Sequence, residues 1–250
     1  MSIKFGFKED VFSLDKLLLP SRYYYFNEDE NYIKLLNIGE GIFPKDRIKL
    51  HVSLNKSNLV LTTESATKIY KSKKEYGINY INIKLQKSAN LEFINDELIL
   101  YEQSKYIQLF RLSFDENSTF FYTDILSRGR SYENFDFTSM LMKNSFYENN
   151  NLEYQEKFDV SGVQLKDYMK RKKSKQNFFA KIYIKTKNNE EFLNEVYKSG
   201  FESITYSSNQ KMLIAVISHE NMNSLRKEIF FIWSLYRKSL NKKEFNLGKQ

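Results

Sequence analysis

From Ile3 to about Phe158, apolar and polar residues alternate in short runs, the period-two pattern of strands with one buried face. The clearest run covers residues 80–86. There Ile81, Ile83 and Leu85 point one way, and Tyr80, Asn82, Lys84 and Gln86 point the other. Comparable runs fall at residues 33–38, 48–54, 58–62, 98–101, 107–114 and 119–125. Many short strands with polar breaks predict a sandwich, a barrel or a β-solenoid, and alternation alone does not choose among them.

The last third changes period. Asn188 and Asn189 can cap a helix that runs to Lys198, with Phe192, Leu193 and Val196 on one face and Gly200 as its stop. The apolar run 212–217 reads as a strand. Ser218 then offers an N-cap to a longer helix, in which Leu225, Ile229, Ile232, Trp233, Tyr236 and Leu240 recur at three- and four-residue steps. That stripe requires a cover, either the β body or a partner helix.

Composition narrows the class. A chain of 250 residues can bury a substantial core, 41% hydrophobic content excludes disorder, and 8 Gly with 2 Pro leave little material for flexible linkers. The absence of Cys excludes disulfides and thiolate metal sites, and a cytoplasmic location is the expectation. The opening residues MSIKFGFKEDVF lack the apolar run of a signal peptide. No stretch reaches the roughly 18 apolar residues of a membrane span, so insertion in a membrane is not expected.

A net charge of +8 permits acidic partners, nucleic acid among them. The densest basic run, KDYMKRKKSK at residues 166–175, lacks the Gly-rich or repeated aromatic frame of an RNA-binding motif. It reads as a solvated loop or as a contact for an acidic protein. Enzyme signatures are missing as well. The two histidines, His51 and His219, stand in no HxxxH or HExxH pattern, no GxSxG elbow is present, and no GxxxxGK[ST] loop could cradle a nucleotide.

Four segments go beyond what folding rules require. They are NIGEGIFPKDRI at 37–48, LTTESATKIYKS at 61–72, LEFINDELILY at 91–101 and FFYTDILSRGR at 120–130. In order and spacing they resemble the UreD-type urease accessory proteins, called UreH in some bacteria, which help to load nickel into apo-urease. The glycine turn of that family is matched from Gly41 to Asp46, and its Ala-Ser/Thr-Lys motif by Ala66, Thr67 and Lys68, with Tyr70 and Lys71 closing it. Its Leu-Glu-aromatic segment is matched by Leu91, Glu92 and Phe93, and its Asp-x-x-x-x-Gly-Arg segment from Asp124 to Arg130. Trp233, Tyr236 and Arg237 fit a helix signature near the end. The chain departs from the pattern at Gly39 and Glu40, at Pro44 and Lys45, and at residues 244–247, where the usual closing motif is absent.

The resemblance implies a mainly β fold of stacked sheets with β-helical, solenoid character and about two α-helices in the C-terminal third. It implies a single domain over residues 1–250, with a β body over about 1–160 and a strand-and-helix portion over about 161–250. The implied function is a non-enzymatic scaffold of urease maturation that binds UreF-type and UreG-type (GTPase) accessory proteins and the urease apoprotein. Two copies of each accessory protein are expected in the complex.

The polar positions carried over from the family are Asp46, Thr67, Lys68, Asp124 and Glu156, as candidates for a nickel route. Nickel prefers imidazole and thiolate, so with no Cys and two His a tight site is not expected; neither is a tightly bound cofactor. Transient nickel is. Four of them also have an ordinary reading: Asp46 as a turn cap, Lys68 as a solvated strand lysine, Asp124 paired with Arg128 or Arg130, Glu156 facing solvent. Asp124 stands out, because among Phe121, Tyr122, Ile125 and Leu126 an unpaired carboxylate is costly. The alternatives are a basic β-rich nucleic-acid-binding protein, and a solenoid enzyme that would need two acids converging in one cleft.

Overall fold

The computed structural model describes residues 1–37 and 41–248, so Gly39 and Glu40 of the glycine turn lie outside the described residues. Two antiparallel hairpins open the chain: β1 (Ser2–Lys8) with β2 (Val11–Leu18), and β3 (Ser21–Phe26) with β4 (Tyr32–Asn37). The chain then winds in coils. β5 (Arg47–Asn55), β6 (Asn58–Thr63) and the short β7 (Thr67–Ile69) make one coil, and β8 (Gly77–Gln86), β9 (Asn90–Ile94) and β10 (Leu98–Leu100) stack on it in parallel register. β11 (Lys105–Phe114) and β12 (Thr119–Ser127) form the next coil. β13 (Ser139–Glu148) continues the parallel stack, and β14 (Asn151–Val160) closes it antiparallel. After them come α1 (Gly162–Arg171), β15 (Phe178–Lys185), α2 (Asn189–Lys198), β16 (Ile204–Tyr206), β17 (Leu213–His219) and α3 (Met222–Ser239).

The result is the solenoid of stacked sheets that the resemblance implied. One sheet runs β14-β13-β11-β8-β5-β1-β2; the other runs β16-β17-β15-β12-β9-β6-β4-β3, with β7 and β10 attached at its side. Parallel stacking sets equivalent positions of successive coils beside each other, so side chains pack in rows. Leu50, Ile81 and Phe110 form one inward row on the first sheet, and Ile33, Leu61, Phe93 and Tyr122 form one on the second. The rows meet face to face, the Phe110 and Tyr122 rings stacking with centroids 4.0 Å apart. Coil corners continue the ladder: Lys56 N donates to Gln86 O at 3.0 Å, Asn90 N to Ser57 O at 3.0 Å and Thr119 N to Ala89 O at 3.0 Å. Backbone groups that a turn would otherwise orphan are satisfied by the next coil.

The outer face of the second sheet is the other place where apolar surface disappears. Val60, Phe121, Ile125, Ile182 and Ala215 are covered by the stripe Leu225, Ile229, Ile232, Trp233 and Tyr236 of α3, with Phe192 and Val196 of α2 beside them. The cover is therefore the β body. α3 starts later than the sequence suggests. Ser218 is held in β17 opposite Phe179, and the N-cap is Asn221, whose side chain accepts from Ser224 N at 2.9 Å.

A third helix, α1, occupies part of the basic run expected to be a loop. Ser161 and Gln164 close its start as a capping box, Leu165 and Met169 are its buried contacts, and Lys170 and Arg171 lie at its C-terminal turn, where the helix dipole favours cations.

Candidate functional site

Inside the solenoid, one stretch of the inward rows turns polar. On the first sheet Ile48, Asn79, Gln108 and Met142 stand side by side in register. Thr63 and Asp124 come from the opposite sheet, Thr67, Asn95 and Asp96 from its margin and Arg22 from β3; with a similar number of apolar residues, Ile81, Phe93 and Leu98 among them, they line a cavity of about 80 Å³. That volume holds several waters. The lining runs from Ile3 on β1 through β5, β8 and β11 to Met142 on β13, so the cavity is elongated along the solenoid axis.

Asp124 lies deep in the molecule, yet keeps part of its surface free because it faces this cavity. Its Oδ1 accepts from Gln108 Nε2 at 3.0 Å and from the Tyr122 hydroxyl; its Oδ2 accepts from Asn144 Nδ2 at 2.8 Å. Burial pushes the Asp124 carboxyl above the usual carboxylate range, against the three hydrogen bonds that favour its charged form, and nearby Glu156 adds to the rise. The Tyr122 hydroxyl is pushed well up, first by burial and then by the charge of Asp124, which keeps it a donor. Arg128 and Arg130 do not reach Asp124. Arg130 Nε donates instead to Glu133 Oε1 at 2.8 Å, and Arg128 turns to Asn177 and the Ser131 carbonyl.

Glu156 joins the same network from β14. Asn144 Nδ2 reaches Glu156 Oε1 at 3.5 Å and the Tyr183 hydroxyl at 2.8 Å, and that hydroxyl donates to Glu156 Oε1. Tyr154 donates to Glu156 Oε2 at 3.0 Å, and Lys181 Nζ does so at 2.9 Å. A continuous polar path therefore leads from the cavity through Asp124, Asn144 and Glu156 to the half-exposed Lys181. Only Asp124 of the two acids lines the cavity.

The remaining candidates lie elsewhere. Asp46 closes its own turn, accepting from Phe43 N at 2.9 Å. Lys68 is exposed, and its carbonyl accepts from Ile42 N at 2.8 Å. Gly41 packs on that carbonyl with φ +147°, and a Cβ there would sit 2.3 Å from the oxygen, which accounts for the glycine beside this motif. Thr67 and Asp124 thus share the cavity, Glu156 is one hydrogen-bonded residue away, and Asp46 and Lys68 stand apart.

Gln108, Asn144, Asn79 and Asn95 complete the site without having been singled out in the sequence. Their signal is parity: Asn79 has the strand parity of Ile81 and Ile83, and Gln108 that of Phe110 and Leu112, so each is a polar residue on an apolar face. Two side-chain oxygens of the region, Asn79 Oδ1 and Asn144 Oδ1, are buried without a hydrogen-bond partner among the described residues.

A second polar cluster is structural. Glu92, fully buried on the outer face of β9, accepts from Trp233 Nε1 at 2.7 Å, Arg237 Nη1 at 2.6 Å and Lys242 Nζ at 2.8 Å. Arg237 also pairs with Glu30, and its Nε donates to the Lys243 carbonyl at 2.6 Å. The Leu91-Glu92-Phe93 segment and the Trp233-to-Arg237 signature, 141 residues apart at their closest bond, are the two halves of one ion cluster that fastens α3 to the sheet.

Fold and site together define a β-solenoid protein with an internal cavity of mixed polar and apolar lining and a helix-covered flank. The family described as UreD urease accessory protein matches residues 18–248. The urease accessory protein UreD of Aliarcobacter butzleri (strain RM4018) is 68% identical over 250 residues, all of both chains. That of Staphylococcus epidermidis (strain ATCC 12228 / FDA PCI 1200) is 36% identical over 121 residues, 47% of this chain and 44% of that protein. That of Bacillus sp. (strain TB-90) is 34% identical over 113 residues, 45% and 42% of the two chains. The chain belongs to the UreD family of urease accessory proteins, and its role is in urease maturation. Among the described residues no helix is long and apolar enough to cross a membrane.

Proposed function

We propose that this chain is a non-catalytic cytoplasmic scaffold that binds UreF-type and UreG-type accessory proteins, two copies of each in the complex, and docks them on apo-urease. In this reading nickel is transient cargo that passes along the solenoid cavity toward the urease active site. Asp124 is the observation that supports it most. A carboxylate inside a β body needs its charge balanced, and its hydrogen-bond partners are the neutral groups of Gln108, Tyr122 and Asn144. A divalent cation in transit would supply the balance.

The donors around the cavity suit passage better than storage. Carboxylate, carboxamide and hydroxyl oxygens are poorer nickel ligands than imidazole or thiolate, and among the described residues no three His, Cys, Asp or Glu converge on one point. The polar side chains that make up about half of the lining can keep part of a cation's hydration along an elongated cavity. The chain has no Walker loop, so the GTPase partner supplies the nucleotide-driven switch.

The test is deletion of the gene followed by measurement of nickel content and activity of urease at low nickel. The wild-type gene restores both. Asp124→Asn, which keeps the shape of the side chain and, like the protonated acid, turns one acceptor oxygen into a donor, restores about tenfold less activity or lower while remaining folded. Fully metallated, active urease in the deletion strain removes the reading.

A further inference from the structure

The outward face of the first sheet is a field of uncompensated positive charge. β5, β8, β11 and β13 are neighbours, and their outward residues fall in rows. Lys49, Tyr80, Leu109 and Lys143 make one row; His51, Asn82, Arg111 and Ser145 make the next; Arg47 flanks them on β5. No outward position on these four strands is Asp or Glu, since Glu148 at the end of β13 has the inward parity of Phe146 and is buried. Acids appear only toward the edges, already paired: Asp15 with Lys4 at 3.0 Å and Asp159 with Lys157 at 3.0 Å. Among the described residues Arg47, Lys49, Lys84, Arg111 and Lys143 make no ion pair. His51 registers the field, its imidazole held below the ordinary range by burial and then by Lys4, Lys49 and Lys16.

Shape and ring geometry narrow the occupant. An open depression of about 450 Å³ lies between Arg47, Lys49, Arg111 and Lys143. Strands of nine or ten residues, spaced about 4.8 Å apart and rising about 3.3 Å per residue, present a plane of roughly 20 by 30 Å, the scale of an ordinary protein interface. Single-stranded nucleic acid would draw on open aromatic faces as well as charge. Here the tyrosines are taken: Lys49 Nζ lies 5.9 Å from the Tyr80 ring centre, and the Arg111 guanidinium lies 4.1 Å from that of Tyr147. The surface offers oriented cations without free stacking platforms.

We infer that the basic outer face of the first sheet, centred on Arg47, Lys49, Arg111 and Lys143, docks the acidic surface of a folded protein partner in urease maturation. The inference rests on the scaffold reading and names the chemistry of one of its contacts. Complementary charge of this kind speeds encounter and fixes register.

The experiment uses the full chain with Arg47→Glu/Lys49→Glu/Arg111→Glu, and the milder Arg47→Gln/Lys49→Gln/Arg111→Gln as a companion should the first fail to fold; all three positions are exposed. Each variant is expressed in the deletion strain beside wild type and empty vector. Its association with purified apo-urease, with the accessory proteins and with a duplex oligonucleotide is followed across a salt series. Charge reversal is expected to lower urease activation and the association rate with a protein partner about tenfold or more at about 0.1 M salt, the difference shrinking as salt rises; neutralisation falls between. A folded variant that matures urease and associates with the proteins as wild type does overturns the inference. So does one whose only loss is oligonucleotide binding. Empty vector maturing urease as well as wild type would instead overturn the scaffold reading, a result distinct from equality between variant and wild type.

Discussion

A buried carboxylate faced by neutral donors ties stability to pH, and Asp124 is such a group. Its folded pKa lies above the ordinary value of 3.8, chiefly through burial. The native state therefore holds this proton more tightly than the unfolded chain does. The stability linked to it is fully present below the unfolded value and is lost as pH rises through the folded one. Asp124→Asn removes the linkage. In urea unfolding the variant is expected to be more stable than wild type near about pH 7.5, with the advantage fading toward about pH 4, below which both side chains are neutral. Parallel pH profiles for the two proteins would contradict a raised Asp124 pKa. A variant that gains stability yet loses urease activation assigns the carboxylate to function. Asp124 was legible in the sequence from its apolar neighbours. Its partners Gln108 and Asn144 carry the same clue in their strand parity, but parity selects a face without saying which residue of another coil stands opposite, and that depends on the register between coils.

At the scale of elements, one ion cluster decides whether α3 stays on the sheet. Arg237 and Glu92 have almost no exposed side-chain surface, and Trp233 and Lys242 share the same carboxylate. Removing one partner of a buried pair leaves the other charge uncompensated. Arg237→Ala is therefore expected to cost about 3–5 kcal/mol in equilibrium unfolding, whereas exposed pairs such as Lys157 with Asp159 contribute about 0–1 kcal/mol. A loss near that of a surface pair would mean that apolar packing alone docks the helix. The three- and four-residue steps made α2 and α3 readable, because six recurring apolar residues leave no other period. α1 was hidden by its lysines. Its capping box Ser161 to Gln164 is visible in the chain, but Leu165 and Met169 make an apolar stripe too narrow to stand out against the basic run. Ser218 misled for a different reason. An N-cap residue is equally acceptable in a strand, and pairing of β17 with β15 claims it first.

At the scale of the molecule, the β coils and the C-terminal elements share structure in a way that composition does not reveal. β15 pairs with β12, so the second sheet continues from the solenoid into the C-terminal portion without a break. α3 then packs on β15 and β17 and reaches β9 and β12 through Trp233 on Glu92, Tyr236 on Asn90 and the Tyr236 ring against Phe121. Peeling the C-terminal elements away would expose the apolar outer face of that sheet, uncap the β12 edge and strip Glu92 of its cations. The proposal that residues 1–250 act as one domain follows, and the chain carries its own reporter. Trp233, the sole tryptophan, sits at the seam with its Nε1 on Glu92. Its fluorescence reads the docking of α3, while far-ultraviolet circular dichroism reads the sheets. In urea the two transitions are expected to coincide with one midpoint, as cooperative unfolding requires. A fluorescence change that precedes the loss of sheet signal would show the C-terminal portion undocking first, and would divide the chain at α1 into two units joined only by the continuous second sheet.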